Sequence, residues 1–401
     1  MSEQKNKTIT LKKEASRRLS SGHLWLFSNE IAQIPAGIAS GDIVEFRDFR
    51  GNFAAKGFIN KNSLIAGRVL TFRNEDINYE FIKKRVASAL EFRKQFFPQR
   101  TSLRIIFGES DFLPGLLVDK FEDTLVLQNN CLGMENLLPL IIEALKELIK
   151  PAAIYQKSAG YFRTLEGMGD VSKWELGEKE MPLLIDEWGL KFNVDIIGGQ
   201  KTGFYFDQSE NHFFVRNLSK GKKVLDCFSY TGAFSLNAKK GGASEVTAVD
   251  ESEDAIALAR ENSKINKLSG IKFIKEDVFN FLENTQEKFD LIILDPPSFT
   301  KSRKNVPVAL KGYIRLNKLA FKTAVEGGIV LSASCSHHIS REEFLWAIKS
   351  AAAISGRVVH PALARKSGVH FLGWRGASAD HPVYLPMPET DYLKMAILRV
   401  S

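Results

Sequence analysis

Hydrophobic and polar positions change rhythm twice along the chain. Over residues 1–72, short apolar runs divided by turn residues ("GDIVEFRD", "RGNFAAKGFINK", "SLIAGRVLTF") predict β-strands, with "FRGN" as a hairpin turn. Between 73 and 187, "NYEFIKKRVASALEFRKQFF" and "MENLLPLIIEALKELI" carry apolar residues at helical spacing, while "TSLRIIFG", "GLLVDKFEDTLVLQNN" and "AAIYQKS" read as strands. From 188 to 401 buried-type strands ("KKVLDCF", "EVTAVD", "FDLIILDPP") alternate with helices such as "SEDAIALARENSKIN". That alternation predicts a mainly parallel sheet with helices on both faces. The expected fold class is α/β in the last segment, preceded by a β-rich domain and an α+β middle domain.

Composition adds little to this picture except through charge. With 401 residues, 44% hydrophobic and 25% charged, the chain is long enough for several cores and too apolar for disorder. Lys and Arg number 55 against 47 Asp and Glu, a net charge of +8 that favours a polyanionic partner such as nucleic acid or a membrane surface. Near the start, Lys12, Lys13, Arg17, Arg18 and His23 stand beside Trp25 and Phe27, a set suited to phosphate contact and base stacking. A solvated helix followed by core aromatics is the competing reading. The opening has no apolar run of secretory length and no later run approaches a membrane span, so a cytoplasmic protein without membrane contact is expected. Cys131, Cys227 and Cys335 have neither disulfide nor zinc spacing, and no metal site is expected.

In a doubly wound sheet, ligands gather beyond the carboxyl ends of the strands. After the first strand come Asp226, Phe228, Ser229 and a single glycine, Gly232, at the start of a helix. The G-x-G-x-x-G pyrophosphate pattern is absent, which suits a nucleotide-like ligand without phosphates such as S-adenosylmethionine (SAM). Asp250 closes the second strand, where a carboxylate can accept hydrogen bonds from both ribose hydroxyls, and Asp277 follows the third, placed for the adenine amino group. The fourth strand ends in Asp295, with Pro296 and Pro297 stiffening a turn that holds the carboxylate and Phe299 towards a flipped base. Finally "GGIVLSASCSHHIS" brings Cys335 to the same sheet edge, shortly before a capping box of Ser340 and Glu343 whose helix N-terminus favours a thiolate. A thiolate beside a flipped pyrimidine can add to carbon 6 and make carbon 5 nucleophilic. Cys335 and Asp295 are therefore the catalytic candidates, against the blander reading of Cys335 as a small buried residue.

In order, "GQKTGFYFDQSENH", "VLDCFSYTGAFSLNA", "FDLIILDPPSF" and "SCS" resemble the RlmI-like large-subunit (23S) rRNA cytosine-5 methyltransferases. The likeness extends to "GHLWLFSNEI", "FGESDFLPGLLVDKF", "EGM" and "DHPV", and so to nearly the whole chain. It implies an N-terminal PUA β-barrel that binds RNA (1–72), a middle α+β domain (73–187) and a C-terminal class I, Rossmann-like SAM-dependent methyltransferase domain (188–401). It also implies that Phe204, Tyr205, Asp207 and Gln208 lie over the SAM pocket, that Asp250 binds ribose, Asp277 adenine and Cys335 the cytosine. Other RNA cytosine-5 methyltransferases carry a second cysteine directly after the proline of the fourth-strand motif, whereas here Ser298 follows Pro297, so the base that releases product is unidentified. Methylation of an exocyclic amine or another rRNA position, and an inactive RNA-binding assembly factor, are the alternative functions. A monomer and a homodimer through the first or middle domain are both compatible with the sequence.

Overall fold

A computed structural model of the chain describes residues 7–300, 302–356 and 368–401. The first six strands, β1 (Thr8–Leu11), β2 (Trp25–Leu26), β3 (Ile31–Gln33), β4 (Ile43–Arg47), β5 (Phe53–Ile59) and β6 (Gly67–Thr71), form one sheet ordered β2-β6-β5-β4-β1-β3. Between β1 and β2 lies helix α1 (Lys13–Ser20). The hairpin read from "FRGN" is present, with β4 and β5 antiparallel and Arg47 opposite Phe53. Ile9, Leu11, Leu26, Val44, Phe46 and Val69 fill the interior of this sheet.

Next come α2 (Tyr79–Phe96), β7 (Leu103–Phe107), β8 (Leu116–Phe121), β9 (Thr124–Asn129), α3 (Leu132–Ile149), β10 (Ala153–Ser158), α4 (Tyr161–Leu165) and β11 (Val171–Leu176). Their sheet is ordered β11-β10-β9-β8-β7. Both sheets belong to one compact unit, completed by Val194–Phe206 and Ala379–Thr390. Within it a buried polar network joins the sheets: Glu166 accepts from Asn60 Nδ2 (2.9 Å) and Arg68 (3.0 Å), and Glu109 accepts from Trp25 Nε1 (2.8 Å). Buried ions without partners are costly, so these residues specify one arrangement of the two sheets.

A second compact unit comprises Asp186–Asn193, Asp207–Ser378 and Asp391–Ser401. A short hairpin of β12 (Leu183–Glu187) and β13 (Leu190–Val194) precedes α5 (Ser209–Leu218). Then follow β14 (Lys223–Cys227), α6 (Ala233–Lys240), β15 (Glu245–Asp250), α7 (Glu253–Ile265), β16 (Ile271–Lys275), α8 (Val278–Asn284), β17 (Phe289–Leu294), α9 (Val306–Thr323), β18 (Ala324–Ser334) and α10 (Arg341–Ile354). The last strands are β19 (Val369–Arg375) and β20 (Lys394–Val400). The sheet runs β16-β15-β14-β17-β18-β20-β19, parallel from β16 to β18 and antiparallel at β20 and β19. Its central strands are apolar on both faces because helices cover both. Val224, Leu291, Ile293 and Leu331 face Val215 of α5 and Phe234 of α6, while Leu225, Ile292, Leu294 and Val330 face α8, α9 and α10. No helix among the described residues is long and apolar enough to cross a membrane.

Candidate active site

The loop from β14 to α6 is built under backbone tension. Phe228 (φ 64°) and Tyr230 (φ 47°) both adopt left-handed conformations, which non-glycine residues rarely do. The loop is fixed to β15, whose Val249 carbonyl accepts from the Phe228 and Ser229 amides at 2.9 and 3.1 Å. Gly232 (φ 86°) completes the turn, and a Cβ there would lie 3.1 Å from Ala259 Cβ. Asp226 is fully buried, and its Oδ2 accepts from Ser235 Oγ at 2.6 Å. Burial pushes its carboxyl up to about 7; the Ser235 hydrogen bond opposes the shift and the charge of Asp295 adds to it. Asp226 Oδ1 and Ser229 Oγ are buried polar atoms with no hydrogen-bond partner among the described residues.

Asp250 is oriented by two backbone donors: Tyr230 N to Oδ2 and Ser252 N to Oδ1, each 2.9 Å. Asp277 lies just past β16 and caps α8, accepting from Asn280 N at 2.9 Å. At the end of β17, Asp295 Oδ1 accepts from Gln208 Nε2 at 2.9 Å. The Gln208 amide cannot turn the other way, because its Oε1 accepts from Asn211 Nδ2 (2.6 Å) and Asn211 Oδ1 accepts from Arg375 Nε (2.6 Å). Asp207 is buried and accepts from the Tyr392 hydroxyl at 2.5 Å. Phe204 and Tyr205, predicted with them, belong to the first unit: Phe204 packs on Phe206, and the Tyr205 hydroxyl donates to Gln200 at 2.6 Å.

Leu294 of β17 pairs with Ser332 of β18, so Asp295 and Cys335 emerge at the same edge of the sheet. Cys335 is a partly exposed thiol, whereas Cys131 and Cys227 are buried. Burial pushes the Cys131 thiol up to about 12 and that of Cys227 well above its ordinary value, which leaves both inert. The capping box ahead of α10 is formed: Glu343 N donates to Ser340 Oγ (3.1 Å) and Ser340 N to Glu343 Oε2 (2.7 Å). Pro296 is buried and Pro297 exposed. Phe299, expected to face a base, is half-buried. Its ring lies 4.6 Å from that of Tyr313, and a Cβ on Gly312 would come within 3.1 Å of it. The aromatic surface of α9 outcompetes water for this ring.

Sequence reasoning missed the polar layer beneath Cys335. The buried Tyr313 hydroxyl donates to Ser334 Oγ (2.9 Å) and lies 3.3 Å from Ser336 Oγ, which is 2.9 Å from Ser298 Oγ. Lys394, buried at the start of β20, was missed as well, since a lone lysine before the apolar run "MAIL" does not show which strand it will lie beside.

In the first unit, Lys12, Lys13 and Arg17 are exposed, while Arg18 is half-buried over the Phe27 ring. His23 is buried and accepts from Trp25 N at 3.1 Å, and Trp25 is half-buried on Glu109. No group of His, Cys, Asp and Glu among the described residues is arranged to hold a metal ion.

Residues 9–72 match the model of a PUA-like domain, and residues 146–360 match that of an S-adenosylmethionine-dependent methyltransferase. The chain belongs to the S-adenosylmethionine-dependent methyltransferase family. It is 38% identical over 402 residues to the ribosomal RNA large subunit methyltransferase I of Serratia proteamaculans, covering 98% of this chain and 99% of that protein. The protein of the same name from an Escherichia coli O139:H28 strain is 37% identical with the same coverage. A solved structure from Streptococcus mutans, described as a candidate methyltransferase of this kind, shares the fold at a TM-score of 0.82 and 22% identity over 98% of this chain and 100% of that one.

As a member of this family the chain uses SAM, and the first loop of the methyltransferase unit fits it. The two buried unsatisfied oxygens of Asp226 and Ser229 suit a ligand that brings donors and positive charge, and Asp250 faces that loop with a fixed carboxylate.

Proposed function

We propose that the protein forms 5-methylcytosine in large-subunit (23S) rRNA, in the cytoplasm, through a covalent adduct between Cys335 and carbon 6 of the base. The observation that carries this reading is the shared edge of β17 and β18, where Asp295 and the partly exposed Cys335 emerge beside the β14–α6 loop. Relatives of the same length named as large-subunit rRNA methyltransferases, together with a PUA-like domain, support RNA as the substrate. In this division of labour, residues 1–72 grip RNA, 73–187 form the middle domain and 188–401 carry the chemistry.

Asp226, Phe228, Ser229, Gly232, Asp250, Asp277 and Pro296 hold the cofactor, with Asp207 and Gln208 of the same unit beside them. SAM supplies a methyl group as an electrophilic carbon on a sulfonium. The Cys335 sulfur adds to carbon 6, and the displaced electron pair makes carbon 5 the nucleophile that takes the methyl. Asp295, held by Gln208, hydrogen-bonds the amino group or ring nitrogen and stabilises the adduct. Loss of the carbon-5 proton then restores the ring double bond and expels the thiolate.

The test compares wild type with Cys335→Ala on deproteinised rRNA lacking the modification, read by nucleoside mass spectrometry. The expected outcome is 5-methylcytosine from wild type only, with SAM binding intact in both. Methylation that survives in the variant would move the reading to an exocyclic amine. SAM binding without product from wild type would point to an RNA-binding assembly role.

A further inference from the structure

An amide side chain donates from one end and accepts at the other, so a row of bonded amides carries a direction. In the second unit such a row runs from β19 to Asp295. Arg375, the last residue of β19, donates from Nε to Asn211 Oδ1 at 2.6 Å. Asn211 Nδ2 donates to Gln208 Oε1 at 2.6 Å, and Gln208 Nε2 donates to Asp295 Oδ1 at 2.9 Å. Asn211 and Gln208 are both buried, so the order of donors and acceptors is not relaxed by bulk water.

Two groups of fixed polarity set the direction. A guanidinium has only donors, so it meets Asn211 at the oxygen. A carbonyl only accepts, and that of Gly376 takes a bond from Asn211 Nδ2 at 3.1 Å. Both anchors demand the same orientation of Asn211. Turned over, Gln208 would set donor against donor at Asn211 and oxygen against oxygen at Asp295. The guanidinium is itself held over the ring of Phe214 in α5, 4.4 Å from its centre.

We propose that Arg375 and Asn211 are positioning residues that act through Gln208 to keep Asp295 an ionised acceptor towards the base. That role rests on the reading of Asp295 as the group that hydrogen-bonds the base. A bond donated to a carboxylate favours its charged form, whereas an amide oxygen in the same place would require the acid to hold a proton. Asp226 of β14, Tyr313 of α9 and Cys335 after β18 are titratable neighbours, and each can bring only negative charge. The bond from Gln208 works against them. An ionised Asp295 accepts from the exocyclic amino group of cytosine and repels the carbonyl that uracil carries at the same position.

The ionisation of Asp295 can be read without RNA or SAM. The full-length protein is labelled with aspartate carrying 13C in the side-chain carboxyl, and the Asp295 signal, identified by its loss in Asp295→Asn, is followed by NMR over about pH 5 to 9. In wild type it is expected at the ionised position throughout the neutral range. Asn211→Asp keeps the shape of the residue and its bond to Arg375 but has no donor for Gln208. The amide then turns, and the Asp295 midpoint rises by about one pH unit or more. Asn211→Leu removes the donor without adding a charge and should shift the midpoint the same way. Arg375→Met removes one of the two anchors and gives a smaller rise, which Arg375→Lys reverses. Methyl transfer by Asn211→Asp falls relative to wild type near neutral pH and recovers as the pH is raised, which a folding defect would not do. A wild-type Asp295 that is protonated at about pH 7 overturns the proposal, and that measurement needs no variant to fold. So does an unshifted midpoint in folded Asn211→Leu, which would reduce Asn211→Asp to the effect of an added charge. A wild type that methylates another position while Asp295 titrates as expected would instead sink the cytosine reading and leave the directed row of bonds standing.

Discussion

Burial ties the protonation of Asp226 to the stability of the fold. Its carboxyl is fully buried and titrates near 7 in the folded protein, against an ordinary value of 3.8. The native state therefore binds this proton more tightly than the unfolded chain does, so the stabilisation it carries at low pH is lost as the pH rises from about 4 through 7. Asp226→Asn removes the titration and keeps an acceptor for Ser235. Thermal melts should show the variant gaining on wild type by an amount on the order of 3 kcal/mol between pH 5 and pH 8. An equal difference at both pH values would mean that Asp226 keeps an ordinary carboxyl. Asp226, Asp250 and Cys335 are legible in the sequence because a strand-end position follows from local periodicity alone. Lys394 and Tyr313 are not, since a lone lysine in an apolar run and a tyrosine inside a helix matter only once β20 lies beside β18 and α9 packs beneath them. Strand order is a non-local property that periodicity does not encode.

At the scale of elements, the tie between α3 and β5 offers a test with an unusual sign. Glycine to alanine in a helix ordinarily gains up to about 1 kcal/mol. Gly133, in the first turn of α3, has no room for the change: a Cβ there would lie 2.1 Å from Cγ of the buried Phe58 of β5. Gly133→Ala should lower the urea midpoint, with a net loss of about 1–3 kcal/mol, because Phe58 has to leave its rotamer or the helix has to shift. A raised midpoint would show that the ring yields without cost. Strands β14, β17 and β18 announce themselves as continuous apolar runs, and the "FRGN" hairpin by its turn residues. Strands β19 and β20 escaped it, since a short apolar run such as "MAILRV" fits helix or strand equally and its antiparallel direction has no local signal. Where the Phe299 ring lands is likewise a non-local matter, since it depends on the gap that Gly312 leaves on α9.

At the scale of the whole molecule, the net charge of +8 becomes a claim about RNA only where positive groups are exposed. Arg68, Arg93, Arg104 and Arg163 add to the count but are buried in ion pairs with Glu166, Asp111, Asp119 and Glu135, so they contribute nothing to a phosphate surface. His23 and Trp25 are tied into the interior of their unit and shape the surface from beneath. Lys12, Lys13 and Arg17 remain exposed at the start of α1 and along it, and we expect them to meet RNA phosphates there. Each phosphate neutralised releases condensed counterions, which lowers log K by about 0.7 per unit of log salt on single strands. Replacing all three residues by serine should therefore weaken rRNA binding at low salt and flatten the slope by about 2. Filter binding across a salt series measures it, with SAM affinity as the check that the methyltransferase unit is intact. If the slope stays as steep as in wild type, the charge on α1 is a solvated face and the RNA is gripped elsewhere.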